Sequence, residues 1–278
     1  MAAPNYRAAT GPRLTQSEVE QYLRCGILYF KARERKHRRT TIRMAVGTGV
    51  AWAAYLDNRA KKLTGGPPQI RTDDLVEAAV EEYRSEIQGC ELRFSPPDYS
   101  EGERNVIRST TTYMTWVSPR IEKILAAEEP AYMQIDEGLE FAGTADVVTE
   151  FGVGDLKVGQ PWTQARADLS RQLTAYAMLH KAALGKLPGR VWIDSISKGG
   201  WDRWNSIRTY DSIERYKEII RRVYRLIEAG AEIPAPEAAW WCSPKWCPEW
   251  TDCPVMGGKD ATWKTISTTQ GPPSGWNP

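Results

Sequence analysis

The apolar positions follow two periods, and the change from one to the other divides the chain. From Thr15 to about Ala127 they recur every three or four residues, the spacing of one helix face. Val19, Tyr22, Leu23 and Leu28 predict a first helix running toward Phe30. It starts at Thr15 or Ser17, each an N-cap residue with a glutamate, Glu18 or Glu20, three positions on. A second helix is predicted from about Gly47 to Leu63, stopped by Gly65-Gly66-Pro67-Pro68, and a third from about Asp73 to Gln88. A long fourth starts near Ser100, with Glu103 completing its capping box, and runs to about Ala127. Over residues 131–158 the period drops to two, and short runs of β-branched and aromatic residues broken by Gly143, Gly152 and Gly154 predict strands. Helix returns from Leu169 to Leu184, with Gly185 as its stop. Arg190 to Ser197 reads as a strand that Trp201 to Thr209 joins across Lys198-Gly199-Gly200, and Ser212 to Ala229 as a last helix closed by Gly230. Helices flanking a strand block predict an α/β core. The predicted domain spans residues 15–254, between a loose tail, 1–14, and an irregular C-terminal segment, 255–278.

No run reaches the roughly 18 apolar residues of a membrane helix, and Met1 to Arg13 lacks the apolar stretch of a secretory signal. A cytoplasmic protein without a membrane partner is expected. The formal net charge of +2 does not announce a nucleic-acid partner, but the local charge does. Lys31, Arg33, Arg35, Lys36, Arg38, Arg39 and Arg43 stand against the single acid Glu34. Such a run either neutralises phosphates or forms a solvated linker. Arg35, Lys36, Arg38 and Arg39 are the candidates for DNA contact.

The stretch from Gly143 to Lys157 carries the clearest chemistry. If residues 143–149 and 153–158 pair around Glu150-Phe151, Asp146 opposes Asp155, with Cβ atoms roughly 4.5–5.5 Å apart. Lys157 shares the face of Asp155 by the period of two. A bulge at one of the glycines would shift this register. Two opposed carboxylates repel unless a cation lies between them, and hard oxygen donors suit Mg²⁺ or Mn²⁺. Lys157 would then orient a water or stabilise developing charge. The bland alternative is an ordinary hairpin with a surface Asp–Lys pair. Gln172 and Tyr176, four apart on the next helix, share one face; they point at the same site, or are a polar surface residue and a core aromatic.

Five cysteines, an odd number, argue against a disulfide framework. Cys242, Cys247 and Cys253 crowd together with four and five residues between them. Three thiolates in an irregular loop can wrap a soft metal centre, and closure needs a fourth ligand. Cys25 is the candidate; Cys90, between two helices, suits a buried free thiol. Zinc and an iron–sulfur cluster both fit four cysteines. Trp240, Trp241, Trp246 and Trp250 either stack on unpaired bases or pack around the cysteine centre, and packing is the preferred reading.

The order of these parts resembles a known family. Ser17 to Phe30 with Cys25 inside, Gly143-Thr144-Ala145-Asp146, Asp155-Leu156-Lys157, Gln172 to Tyr176 and the C-terminal cysteine triplet look like the PD-(D/E)xK nucleases of the RecB-like exonuclease group. Within that group the likeness is closest to CRISPR-associated and AddB-type members with a 4Fe–4S cluster, and it spans roughly residues 15–254. The resemblance implies a restriction-endonuclease-like α/β core, a central mixed sheet flanked by helices, with a helical N-terminal part and an iron–sulfur region joining both ends. It implies a metal-dependent DNA nuclease, an exonuclease acting in recombination, repair or end processing on DNA with a free or single-stranded end. Asp146, Asp155 and the carbonyl of Leu156 would bind the metal, Lys157 would be the catalytic lysine, and Gln172 and Tyr176 would complete the site. Cys25, Cys242, Cys247 and Cys253 would hold the 4Fe–4S cluster. Two departures stand out. Ala51 occupies the place of the family's metal-binding histidine, and neither His37 nor His180 falls in that motif. The first gap of the cysteine triplet is four residues where the family has two. These departures keep two alternatives open: a catalytically weakened DNA-binding accessory protein on the same fold, and a zinc-stabilised interaction module.

Overall fold

A computed structural model describes residues 12–35, 39–67, 70–88, 91–92, 97–236, 238–243, 246–255 and 264–265. In chain order the elements are β1 (Arg13–Thr15), α1 (Gln16–Arg24), α2 (Gly26–Glu34), β2 (Arg39–Thr40), α3 (Ile42–Thr64), α4 (Thr72–Gln88), β3 (Glu91–Leu92) and α5 (Pro97–Thr112). Then follow β4 (Ile124–Ala127), β5 (Pro130–Asp136), β6 (Leu139–Thr144), β7 (Val147–Thr149), β8 (Gly152–Gly159), α6 (Gln164–Asp168) and α7 (Arg171–Leu184). The last are β9 (Arg190–Ser197), β10 (Gly200–Ser206), α8 (Tyr210–Glu228) and β11 (Lys264–Thr265). The α/β architecture expected from the pattern is the one observed.

The central sheet has the order β10-β9-β8-β7-β4. β8 and β9 run parallel, so the chain must cross over between them, and α6 and α7 make that crossover. The other neighbours are antiparallel. α3 covers one face of β8, taking Leu156 and Val158 against Val46, Val50 and Ala53. The opposite face meets α7, where Val153 and Ile193 pack on Leu173, Tyr176 and Ala177. Gly154 is required by this packing: a Cβ there would lie 2.3 Å from the ring of Trp192, the largest fully buried side chain. A second sheet, β1-β6-β5, carries Phe141 against Ile213 and Tyr216 of α8 and Val19 and Tyr22 of α1. A third, of two-residue strands, joins β2, β3 and β11, so Lys264 and Thr265 of the segment read as irregular pair with β3.

Three sequence expectations are corrected. The predicted first helix is two helices. Thr15 caps α1 with the expected box to Glu18, but Cys25 is extended (φ −171°, ψ 115°) and separates α1 from α2. The second helix begins at Ile42 rather than Gly47, because Thr41 accepts the Met44 N–H as its N-cap. The fourth helix ends at Thr112; it loosens into a π turn at Tyr113–Val117 and a 3-10 turn at Ser118–Arg120. Ile124–Ala127, assigned to that helix by its alanines, is instead edge strand β4, paired with β7. Pro119 lacks the N–H that would continue the helix, and Lys123 sits at φ 51°. The turn is fastened to α3 by a buried network: Lys61 meets Asp57 at 2.9 Å and donates to the Ser118 carbonyl and hydroxyl, and Tyr113 donates to Asp57 at 2.8 Å.

Candidate active site and thiol centre

The hairpin register of β7 and β8 places the carboxylates where the sequence placed them. Val147 faces Gly154, Val148 faces Val153 and Thr149 faces Gly152, with Glu150-Phe151 as the turn. Asp146 therefore follows in register opposite Asp155. The hairpin is shorter than expected, because Gly143 and Thr144 belong to β6 of the other sheet. The Gly143-to-Asp146 motif thus bridges two sheets. Asp146 Oδ2 accepts the Leu156 N–H at 2.6 Å, which holds its side chain against β8.

Asp155 is buried, 2% exposed. Its Oδ1 accepts from Gln172 Nε2 at 2.8 Å and from the Tyr176 hydroxyl at 3.4 Å, and Gln172 also donates to Tyr176 Oη at 2.7 Å. Its Oδ2 meets the Lys157 ammonium at 2.7 Å. Asp146, Asp155, Leu156, Lys157, Gln172 and Tyr176 are thus brought together. Burial, and then Asp155, push the Asp146 carboxyl well above the usual carboxylate range, with Lys157 pulling the other way. Burial by itself would lower Lys157, but Asp155 and Asp146 together hold it above its ordinary value. Burial, then Asp155 and Asp146, hold the Tyr176 hydroxyl well above the usual tyrosine range.

A third acid was missed. Glu128 follows β4 with φ 52° and donates its N–H to the Asp146 carbonyl at 3.3 Å. Burial, and then Asp155, raise its carboxyl to about 6. It reaches the site only through the pairing of β4 with β7, and the sequence reading had buried that strand in a helix. Two carboxyls, Asp155 and Asp146, therefore act on Lys157, and the third, Glu128, acts with Asp155. Ala51 lies on α3 as expected, and among the described residues no histidine replaces it: His180 is buried on α7, bonded to the Lys186 carbonyl at 3.0 Å, and His37 lies outside the described residues.

The thiol centre is assembled from distant parts. The Cys25 N–H caps α1 at the Gln21 carbonyl, 2.9 Å away, and its Sγ accepts the Leu28 N–H at 3.5 Å. The chain after α8 returns to this break. Gly26 donates to the Ile233 carbonyl at 2.7 Å, and a Cβ on Gly26 would lie 2.7 Å from the Ile233 nitrogen. Tyr22 donates to the Ala231 carbonyl at 2.7 Å. Cys247 is pushed up to about 11 by burial first and then by Cys242, Cys25 and Cys253. Cys242 is raised by burial, then by Cys25 and Cys253. The four thiols therefore sense one another. Among the described residues, no three His, Cys, Asp or Glu side chains are already spaced to close on one ion. Cys90 lies outside the described residues.

The basic run divides differently from the expectation. Arg35 and Arg39 both pair with Glu249, which is 2% exposed, and Arg39 reaches Asp252 at 3.5 Å. These two arginines clamp the C-terminal loop rather than standing in solvent. Lys36 and Arg38 lie outside the described residues. The tryptophans divide too: Trp241 and Trp250 are partly covered, whereas Trp240 is 65% and Trp246 39% exposed. Packing covers the first two, whereas Trp240 and Trp246 pack edge-on on one another and still keep exposed surface.

A groove of about 1720 Å³ runs from these tryptophans past Arg24, Arg43 and Arg166 to Gln172. Gln172 is the residue that holds Asp155, and Arg166 is close enough to act on the Lys157 charge. Ligand pockets for small molecules occupy about 300–1,000 Å³, so the groove suits a longer ligand.

Comparison with solved structures finds low-level likenesses. The protein SSO0001 is 10% identical with a TM-score of 0.36, the match covering 87% of this chain and 95% of that one. The alkaline exonuclease LHK-Exo of Laribacter hongkongensis is 11% identical with a TM-score of 0.33, over 77% and 94% of the two chains. The same enzyme in complex with dAMP gives 11% and 0.33 over 66% and 92%. No curated protein matches the sequence at a significant level. The sequence profile of one family matches residues 13–254, a span holding β1, both acids of the hairpin, Lys157, α7 and all four thiols. The chain belongs to the PD-(D/E)XK nuclease superfamily.

Proposed function

We propose that the chain is a divalent-metal-dependent deoxyribonuclease of the RecB-like group. It trims DNA from an end in recombination, repair or end processing, and carries a 4Fe–4S cluster on Cys25, Cys242, Cys247 and Cys253. The observation that carries this reading is the meeting of Asp146, Asp155, Lys157, Gln172 and Tyr176, of which Gln172 also lines an arginine-rich groove. The residues fit a hard cation. Asp146 and Asp155 share one ammonium, Lys157, and a third carboxyl, Glu128, is close enough to be raised by Asp155. Asp146, Asp155 and the Leu156 carbonyl would hold Mg²⁺ or Mn²⁺, which when bound supplies Lewis-acid chemistry at a phosphodiester. Gln172 and Tyr176 fix Oδ1 of Asp155 and so set the direction of its other oxygen. Lys157 stands to stabilise negative charge on the phosphate. The thiols, mutually sensed and unpaired in disulfides, suit a soft metal centre in a reducing, cytoplasmic setting.

One feature favours a second reading, a weakened DNA-binding accessory protein: Ala51 stands where the family places a metal-binding histidine. The discriminating experiment is anaerobic purification with iron and zinc analysis, followed by cleavage of end-labelled DNA with Mg²⁺ or Mn²⁺. Iron with metal-dependent shortening from an end, lost in Asp155→Ala, is the expected result. No cleavage with either metal moves the chain to the accessory reading, and zinc without iron removes the cluster.

A further inference from the structure

We infer that the far end of the groove is a base-stacking platform, with Trp240 and Trp246 as its faces and Arg24 beside them, and that it admits an unpaired DNA strand and leads it to the carboxylates. The inference rests on the nuclease reading for the direction of the strand but not for its binding. Six arginines and three glutamates line the groove. Each glutamate has a basic partner: Glu20 with Arg171 at 2.7 Å, Glu101 with Lys198 at 3.7 Å, and Glu249 with Arg35 and Arg39. Among the described residues, Arg24, Arg43 and Arg166 have no carboxylate partner, so the groove keeps net positive charge along its length. Guanidinium groups without carboxylate partners suit a phosphate backbone.

The aromatic end decides which kind of backbone. Trp240 stands edge-on to Trp241 and Trp246, with ring centroids 5.6 and 5.5 Å away, and still leaves 65% of its surface to solvent. Arg24 lies over Trp241 at 5.7 Å. Duplex DNA keeps its base faces stacked inside the helix and offers a protein mainly phosphates and groove edges. An unpaired strand offers base faces, and an aromatic platform beside a basic groove binds them with little regard to sequence. The covered tryptophans, Trp241 and Trp250, serve the loop; Trp240 and Trp246 serve the strand.

The test is fluorescence anisotropy of a labelled oligo-dT strand and of a blunt duplex, in EDTA so that nothing is cleaved. Trp240→Ala should weaken strand binding about tenfold, the order of one lost base stack, and change duplex binding less than about twofold. Trp240→Phe, which keeps a ring, should restore most of the loss, which separates stacking from damage to the loop. Arg24→Gln with Arg43→Gln should flatten the salt dependence of strand binding by about two slope units at most. Wild-type strand affinity in Trp240→Ala, equal losses for strand and duplex, or no rescue by phenylalanine overturns the platform. If the strand pattern holds but no metal yields cleavage, the nuclease reading fails and the platform stands. If cleavage is normal while Trp240→Ala binds the strand like wild type, the platform fails alone.

Discussion

The carboxylate end and the thiol end of this molecule are built in opposite ways. Asp146 directly precedes β7 and Asp155 lies on the neighbouring β8, one tight turn apart, and ladder pairing, the Leu156 N–H and the α7 side chains hold them in place. The thiols come from residue 25 and residues 242–253. They meet because the tail docks on the α1–α2 break through Gly26–Ile233, Tyr22–Ala231 and the clamp on Glu249. The first site is held by its sheet whatever it binds. The second joins segments that local structure does not join, so whatever binds the thiols also binds the fold together. A metal at the first end adds chemistry; a metal at the second adds structure.

The sharpest way to break that contrast is Cys25→Ser. If the thiols hold the proposed 4Fe–4S cluster, its visible absorbance should vanish completely, and the chain beyond Ala231 should become sensitive to limited proteolysis, while amide exchange in β8 and β9 stays slow. Cys90→Ser should keep the chromophore. A tail that stays protected without the chromophore would show that the protein clamps alone hold it.

The counterpart is Asp155→Ala, which should reduce cleavage by on the order of 10³-fold while leaving iron content and tail protection at wild-type levels. Lys157→Ala should cost about 10²-fold in rate with a smaller change in metal affinity, since its charge faces the phosphate. Mn²⁺ titration followed by electron paramagnetic resonance separates binding from rate. Loss of iron in Asp155→Ala would mean the two ends are not independent.

Glu128 gives the smallest and most specific effect. Its carboxyl, raised to about 6 in the fold, makes folding favour the protonated form. The stability it leaves in place is complete below about 4.5, its ordinary value, and is lost as pH rises through about 6. Glu128→Gln removes that loss. In EDTA at pH 8 the variant should be more stable than wild type by about 1–2 kcal/mol, and at pH 4 it should match it, as read by urea unfolding. With Mn²⁺ present the gain should shrink or reverse, because the third carboxyl is then useful. An advantage that is the same at both pH values would mean that neither burial nor Asp155 raises the Glu128 carboxyl.

The hairpin was legible because its information is local. Glycines, a two-residue turn and alternation are enough to set a register, and the register sets Asp146 against Asp155. The helix stop at Gly185 and the Thr15 capping box are local signals of the same kind. What stayed hidden depends on partners far away in sequence. Ala126 and Ala127 favour helix on their own, and only the edge of β7 makes them a strand; with that strand went Glu128. Nothing near Cys25 announces a break in the helix, whereas Gly26 must lack a Cβ because Ile233 arrives against it. Arg35 and Arg39 looked like solvent charges until Glu249 was found beneath them.

That last arrangement has a consequence for how the chain is made. The ribosome delivers the hairpin, α7 and β9 well before it delivers Glu249, and at about 5–20 residues per second the interval is seconds long. Throughout that interval the carboxylate site is already complete while Arg35, Arg39 and Cys25 wait for partners. The nascent protein would meet metal ions and nucleic acid with its chemistry assembled and its closing segment still unmade, and the first helix pair would be the last part to settle. Chains stalled on the ribosome before and after residue 255 should show this directly: protease cleavage near the α1–α2 break in the shorter chain, protection in the longer one, and equal protection of β8 in both.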